Sequence, residues 1–369
     1  MLNIQVLNNI SPLGLGKFSK EAYDVSSSDE SPDAILVRSA KMHDMEIGDS
    51  LKAVGRAGAG VNNIPLEKMS DKGVVVFNTP GANANAVKEL VISSMLLASR
   101  NICQGWDYVN KLPLGNLKTT VEDGKKQYSG SELPGKTLGI VGLGAIGVEI
   151  ANAASMLGMD VIGYDPSISK KNAWKISSEV EEALSLEELF SRSDFVSFHV
   201  PLVDATKNLL DAKRISLLPE GCVIINMSRD GIVDEDELIK SLDTGKVKYY
   251  VTDFPIDKKK NHDRVIALPH LGASTSEAED NCAIMIAKQV KDYLEHGNIV
   301  NSVNFPDSKM PRAGEERLAI THRNVPNMDI SLVFTESQLQ NSSRMINRHN
   351  RQATANELKR YAPSLSKQQ

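Results

Sequence analysis

Residues 142–147 read Gly-Leu-Gly-Ala-Ile-Gly, directly after the apolar run Thr137–Val141 and ahead of Ile146, Ile150, Ala153 and Leu157 at helical spacing. A strand that turns on glycines straight into a helix has few folds open to it. The glycines permit a tight turn, let backbone N–H groups approach an anion, and let the helix pack close to the strand. The helix N-terminus adds positive potential. Asp165 lies eighteen residues past Gly147, just after a second strand-like run, Asp160–Tyr164. A carboxylate there can bond the hydroxyls of a ribose. The pattern predicts a Rossmann unit that binds a dinucleotide, with Gly142, Gly144, Ala145, Ile146 and Gly147 at the pyrophosphate. Because a carboxylate at 165 would repel a 2′-phosphate, it points to NAD over NADP.

At 369 residues the chain exceeds one compact core and is expected to form two large domains plus a smaller piece. A net charge of −5 gives no basic field for nucleic acid or an anionic membrane, so an anionic substrate has to be gripped by individually placed arginines. The three cysteines, Cys103, Cys222 and Cys282, are far apart and lack CxxC spacing, which reads as reduced thiols and no metal site. No apolar run is long enough to span a membrane, and Met1–Gln5 lacks a charged leader, so the expected location is the cytoplasm.

Short apolar runs at Asn3–Leu7, Ala34–Val37, Ala53–Arg56 and Val74–Asn78 alternate with turn-rich segments, the rhythm of a parallel α/β unit. Residues Val87, Leu90, Val91, Ser94, Met95 and Ala98 predict one long helix over Asn85–Ser99, expected to run across a domain junction. Lys111–Ser131 reads as connecting loop. Beyond the glycine turn, strands are expected at Phe195–Val200, Cys222–Met227, Tyr249–Thr252 and Val265–Leu268, with helices capped by Ser185 and Asp234. Ser276–Glu295 is amphipathic and is expected to return to the first domain. The predicted fold is α/β, with two doubly wound parallel-sheet domains. These are a discontinuous substrate domain (1–92 and 272–305) and the Rossmann domain (93–271), followed by a tail from 306. After Asn327 the tail has no glycine and no clear periodicity, and reads as disordered.

Three further constellations carry chemistry. Asn226-Met227-Ser228-Arg229-Asp230-Gly231 follows a buried strand, and an arginine there can grip a carboxylate with two parallel hydrogen bonds. Pro269-His270-Leu271-Gly272-Ala273-Ser274 places an imidazole, suited to proton exchange with a hydroxyl near neutral pH, just past another strand. Arg56-Ala57-Gly58-Ala59-Gly60-Val61 could form a nest of N–H groups for an anion. Singly, each could equally be a surface arginine, a structural histidine or a plain turn.

Together with the glycine turn, these strings resemble the D-isomer 2-hydroxyacid dehydrogenase family from about residue 30 to about residue 305. The wording over Val37-Arg38-Ser39, Val54–Ile64, Asn78–Asn83, Ser131–Thr137 and His270–Thr275 is nearest to members that act on phosphoglycerate. The resemblance implies NAD-dependent oxidation of 3-phosphoglycerate at the entry to serine biosynthesis, in a cleft between domains. It makes His270 the acid/base and Arg229 the substrate-orienting cation, puts Arg38 and Arg56 on the substrate, and has the amides of Ala59, Gly60 and Val61 hold its carboxylate. It puts Asp253 near the nicotinamide carboxamide, has His199, Val200, Pro201 and Thr206 line the adenine–ribose side, and counts Met227, Ser228, Gly272 and Ala273 among the remaining cofactor contacts. Homo-oligomerisation through the nucleotide domain is also implied.

Two places depart from the family pattern. The glutamate usually paired with the histidine is missing from Asp253-Phe254-Pro255-Ile256-Asp257, leaving Asp257 as first candidate and Asp263 as second. Arg317–Met328 resembles the start of an ACT regulatory module, but the chain from Asp329 onward does not continue it, so serine feedback is expected to be weak or absent. Two alternatives stay open: a dehydrogenase of another D-2-hydroxy acid, and a non-catalytic NAD-sensing protein akin to corepressors of this fold.

Overall fold

In a computed structural model, which describes residues 1–113, 115–255, 262–309, 347–348 and 351–352, the chain divides into two units. The first comprises Met1–Ala82 with the residues from Glu279 onward, and the second Asn83–Ala278.

The first unit is built on strands β1 (Leu2–Leu7), β2 (Tyr23–Ser26), β3 (Ala34–Val37), β4 (Ala53–Arg56) and β5 (Val75–Phe77), in the order β2-β1-β3-β4-β5. Every pairing in it is parallel. A parallel sheet is covered on both faces, which is why β3 is buried at all four positions. Alternate residues go to opposite faces. Ile4, Ala34, Leu36 and Phe77 pack with Ala283, Ile286 and Val290 of the long helix Ser276–His296, whereas Ile35, Val37, Val54 and Val76 pack around Met69. That helix lies directly on β4, because a Cβ at Gly55 would come within 2.7 Å of Ile286 Cγ1 and 2.8 Å of Val290 Cγ2.

The second unit opens with α1 (Ala84–Arg100) and contains β6 (Thr137–Val141), α2 (Ala145–Met156), β7 (Asp160–Tyr164), β8 (Glu181–Glu182), β9 (Phe195–Phe198), β10 (Cys222–Asn226), β11 (Val247–Thr252) and β12 (Val265–Ala267). Its sheet runs β12-β11-β10-β9-β6-β7-β8, all parallel. Counted within the unit, this is the doubly wound dinucleotide-binding order, and the strand order reverses between β6 and β9. The predicted caps are present. Ser185 Oγ accepts from Glu188 N at 3.1 Å and Glu188 Oε2 accepts from Leu184 N at 2.8 Å. Asp234 Oδ1 accepts from Asp236 N and Glu237 N, both at 3.1 Å, and Gly245 closes that helix at φ 83°.

The structure departs from the sequence reading in several places. The unit boundaries fall at 82/83 and 278/279 rather than at 92/93 and 271/272, and α1 belongs wholly to the second unit. Its buried residues Val87, Val91, Met95 and Ala98 all join the core around Leu138, Ile150 and Val161. Helical periodicity shows that a face is buried but not which core receives it. The stretch predicted as loop over 111–131 is largely helical, with Leu117–Gly124 as a helix and Lys125–Tyr128 as a 3₁₀ turn, and the preceding Ile102–Lys111 is a further helix to which the sequence reading assigns no element. None of these buries a residue fully; Ile102, Trp106 and Val109 recur at helical spacing, but on a face that stays exposed. Strands β2 and β8 are edge strands without the continuous apolar run that marks β3 and β5, and β8 has only two residues. The predicted strand ends at Val200, Met227 and Leu268 lie just outside the observed strands, in the loops that follow β9, β10 and β12.

Candidate active site

The glycine turn is shaped by three different needs. Gly142 sits at φ 96°, and a Cβ there would approach His199 O to 2.7 Å. At Gly147 a Cβ would lie 2.0 Å from Gly142 O, so only glycine lets α2 start this close to the strand. Gly144 is different: a Cβ there would meet nothing within 4 Å. The space in front of it is open, and the N–H groups of the first turn of α2, which have no partner within their own helix, lie beside it, as a bound pyrophosphate requires. Asp165 stabilises this loop: its Oδ2 accepts from Leu143 N and its Oδ1 from Ser167 N, both at 2.9 Å.

The loop after β9 closes the turn from the other side. His199 Nε2 lies 2.8 Å from Ser197 Oγ, and burial pushes the imidazole down to about 3, so it is neutral at working pH. Val200 O accepts from Ser228 Oγ at 2.6 Å, tying this loop to the one that follows β10. Thr206 is turned inward to its own loop: its Oγ1 donates to Pro201 O at 2.5 Å and accepts from Val203 N at 2.9 Å.

Arg229 is carried just past β10 by a small polar brace. Asn226 is buried at the end of an otherwise apolar strand, where its Nδ2 donates to Arg229 O at 2.8 Å and its Oδ1 accepts from Ser228 N at 3.2 Å. The guanidinium NH1 donates to Ser228 O at 2.7 Å, and the exposed remainder of the fork can receive an anion. Asn226 and Thr252 are register partners on neighbouring strands, as are Thr252 and Ala267. The residues just past these strands, Arg229, Asp253 and His270, therefore leave the same edge of the sheet.

Asp253 is the electrostatic centre of that edge. It is 1% exposed. Burial raises its carboxyl above the usual range, opposed by the Gly272 N–H and by the charges of His270 and Arg229. Its Oδ2 accepts from Gly272 N at 2.8 Å, while Oδ1 is buried without a partner among the described residues. A buried acceptor left unpaired costs about 1–3 kcal/mol, so Oδ1 fits a ligand donor such as the amide of a nicotinamide. His270 is held in the left-handed region at φ 43°, with its N–H donated to Asp253 O at 2.9 Å and its ring 4.7 Å from that of Phe254. An exposed imidazole on so constrained a backbone is suited to exchanging a proton with a substrate.

The first unit has its own cationic group. Val37 and Arg56 are register partners, so Arg38 and Arg56 emerge side by side at the ends of β3 and β4. Arg56 Nε donates to Arg38 O at 3.0 Å. Gly58 makes room for it, since a Cβ at 58 would lie 1.7 Å from Arg56 NH1. Among the described residues the N–H groups of Ala59, Gly60 and Val61 have no partner, which leaves them available to an anion.

Asp257, the acid expected beside His270, lies outside the described residues, as do most of the tail from 310 and the ACT-like stretch. Asp263 is described and exposed. Two contributors were not foreseen. The brace role of Asn226 had a signal, a lone amide closing the run Cys-Val-Ile-Ile-Asn. Glu279, whose Oε1 lies 2.7 Å from Arg38 NH1, had none, since it sits on the polar face of an ordinary amphipathic helix. Among the described residues no group of His, Cys, Asp or Glu could hold a metal, and no helix is long and apolar enough to cross a membrane.

A family model for the NAD-binding domain of D-isomer specific 2-hydroxyacid dehydrogenases matches residues 92–272. D-3-phosphoglycerate dehydrogenase of Haemophilus influenzae is 36% identical over 310 residues, 80% of this chain and 72% of that protein. Its namesake in Methanocaldococcus jannaschii is 37% identical over 290 residues, 75% of this chain and 53% of that protein. The chain spans about half the length of most of the curated relatives it matches. The NAD⁺-bound 3-phosphoglycerate dehydrogenase of Entamoeba histolytica superposes with a TM-score of 0.64 at 28% identity, covering 82% of this chain and 99% of that one. With identity of this order reaching across both units, the chain belongs to the D-isomer specific 2-hydroxyacid dehydrogenase family, and NAD is the cofactor of its nucleotide-binding unit.

Proposed function

We propose that this chain oxidises the 2-hydroxyl of 3-phosphoglycerate with NAD to give 3-phosphohydroxypyruvate, the first step of L-serine biosynthesis. The observation that carries this reading is that Arg229, the buried Asp253 and His270 leave the same edge of the sheet, with the His270 N–H donating to Asp253 O at 2.9 Å and the charges of Arg229 and His270 bearing on that carboxyl. The names of the curated relatives support the choice of substrate. In this reading Arg229 holds the substrate carboxylate with two parallel bonds, seconded by the amides of Ala59, Gly60 and Val61. Arg38 and Arg56 take the phosphate. His270 accepts the hydroxyl proton as the hydrogen on C2 leaves as hydride, and Asp257 is the acid assigned to pair with the imidazole. NAD, when bound, supplies the hydride acceptor. The amides of Gly142–Gly147 hold its pyrophosphate and Asp165 its ribose. Asp253, Gly272 and Ala273 hold the carboxamide, with His199, Val200, Pro201, Thr206, Met227 and Ser228 along the remaining cofactor surface. Orientation supplies the larger part of the rate, because hydride transfer needs the reacting atoms close and aligned.

We also place the protein in the cytoplasm as a homo-oligomer. The exposed stripe Ile102, Trp106 and Val109 on one helix, with Trp106 70% exposed, supports a partner surface on the nucleotide unit.

The test is nicotinamide absorbance with NAD and 3-phosphoglycerate, and with NADH and 3-phosphohydroxypyruvate for the reverse. Turnover is expected in both directions. His270→Ala should lower kcat by about 10²–10⁴ while the NADH dissociation constant stays within about twofold. Unimpaired turnover in that variant would remove His270 from the chemistry, and no turnover with any 2-hydroxy acid would leave the NAD-sensing alternative.

A further inference from the structure

The phosphate contact proposed for Arg38 meets an obstacle inside the same unit. The backbone of Arg38 is fixed from two sides. Its N–H and that of Ala40 donate to Asn8 Oδ1 at 3.4 and 3.2 Å, and its carbonyl accepts from Arg56 Nε at 3.0 Å and Asn63 Nδ2 at 3.5 Å. From this fixed base the guanidinium reaches Glu279, in the first turns of the helix that comes after His270, with NH1 2.7 Å from Oε1. The pair is only partly shielded, at 31% and 47% side-chain exposure, so water and solutes can reach both ends. Cys282, one turn further along, senses Arg38, Arg56 and Glu279 alike, which puts the three charges in one neighbourhood.

Resting on the phosphate contact at Arg38, we propose that Glu279 is a specificity-determining residue, a built-in anion that competes with the phosphate group of the substrate for that arginine. A phosphate dianion that binds the fork has to displace this carboxylate or lie beside it, and like charges at such separations repel. Glu279 therefore weakens the affinity of the site for doubly charged tails relative to uncharged ones. It also keeps the guanidinium extended when no substrate is present. A neutral acceptor of the same shape would retain that positioning and remove the repulsion.

The experiment compares the full-length wild type with Glu279→Gln, using 3-phosphoglycerate and its unphosphorylated analogue D-glycerate, and in parallel titrates inorganic phosphate by calorimetry. For an exposed pair the expected change is modest: KM for phosphoglycerate falls about three- to tenfold, with a clearly smaller change for glycerate, and phosphate binds more tightly by a similar factor. A KM for phosphoglycerate that is unchanged or raised, or that falls equally for glycerate, overturns the proposal. A rise would make Glu279 a positioning residue for Arg38. If the wild type turns over no phosphoglycerate, it is the substrate assignment that fails. The phosphate titration then decides alone: tighter binding in Glu279→Gln upholds competition at Arg38, and equal affinity overturns it.

Discussion

At the scale of single residues, Asp253 shows function set against stability. Its carboxyl is 1% exposed, with one oxygen on Gly272 N and the other unpaired among the described residues. Burial raises its pKa in the folded chain. The unfolded chain therefore releases the proton at lower pH than the folded one. As pH rises past the ordinary Asp value, the folded state loses stability relative to the unfolded state, and the full cost applies above the folded pKa. Asp253→Asn should keep an oxygen for Gly272 N, remove the charge, and stabilise the NAD-free protein by about 1 kcal/mol at pH 8 with little effect at pH 4. The same change should lower kcat/KM about tenfold or more, because the acceptor proposed for the cofactor becomes a donor. Urea denaturation at the two pH values, with kinetics alongside, checks both halves, and a variant less stable at pH 8 would mean that the carboxylate is structural. The sequence marked Asp253 through the family resemblance, yet nothing in its composition or spacing could reveal the orphaned oxygen, since that depends on which loop closes over it.

At the scale of elements, the turn from β6 into α2 was legible because its physics is local. Three glycines, a preceding apolar run and a succeeding helical stripe leave almost no other conformation. The division of labour among the glycines was not legible, because it depends on what each backbone atom faces in space. Gly147 lies against Gly142 O, and Gly144 faces open space. These predict opposite phenotypes. Gly147→Ala should destabilise the nucleotide unit by more than about 2 kcal/mol, since the neighbour is rigid backbone. Gly144→Ala should leave stability within about 1 kcal/mol but weaken NAD binding about tenfold or more, by filling the space the pyrophosphate needs. Thermal melts with NAD titration separate the two, and equal loss of fold in both variants would refute the assignment of Gly144 to the ligand. The polar helices over Ile102–Gly124 are the counterexample on the same scale. With no residue fully buried, they carry apolar residues at helical spacing, Ile102, Trp106 and Val109 in the first and Leu117 and Val121 in the second, on faces left partly exposed, so the pattern joins no core that would identify it.

At the scale of the whole molecule, the two sheets differ in how they draw on the chain. The nucleotide unit is one continuous stretch, Asn83–Ala278, whose sheet carries a core on each face, one of them shared with the helix Ala84–Arg100. The other unit takes its sheet from the first 82 residues and one covering helix from beyond residue 278. Ala283, Ile286 and Val290 are at most 1% exposed in its core, and Gly14 and Gly55 are close enough to that helix that a Cβ at either would clash with it. The sequence announced the return through the amphipathic stripe after Ser276, but a stripe does not name its partner. The arrangement predicts unequal autonomy. A fragment of residues 83–278 should fold alone, with a cooperative melt and measurable NADH binding. A fragment of residues 1–82 should remain largely unfolded, because one face of its sheet would expose Ile4, Leu36 and Phe77 to water. Adding residues 279–309 as a separate peptide should restore helical circular dichroism and a melting transition to the shorter fragment. A cooperative fold in residues 1–82 alone would mean that the helix after Ser276 covers a sheet already stable without it.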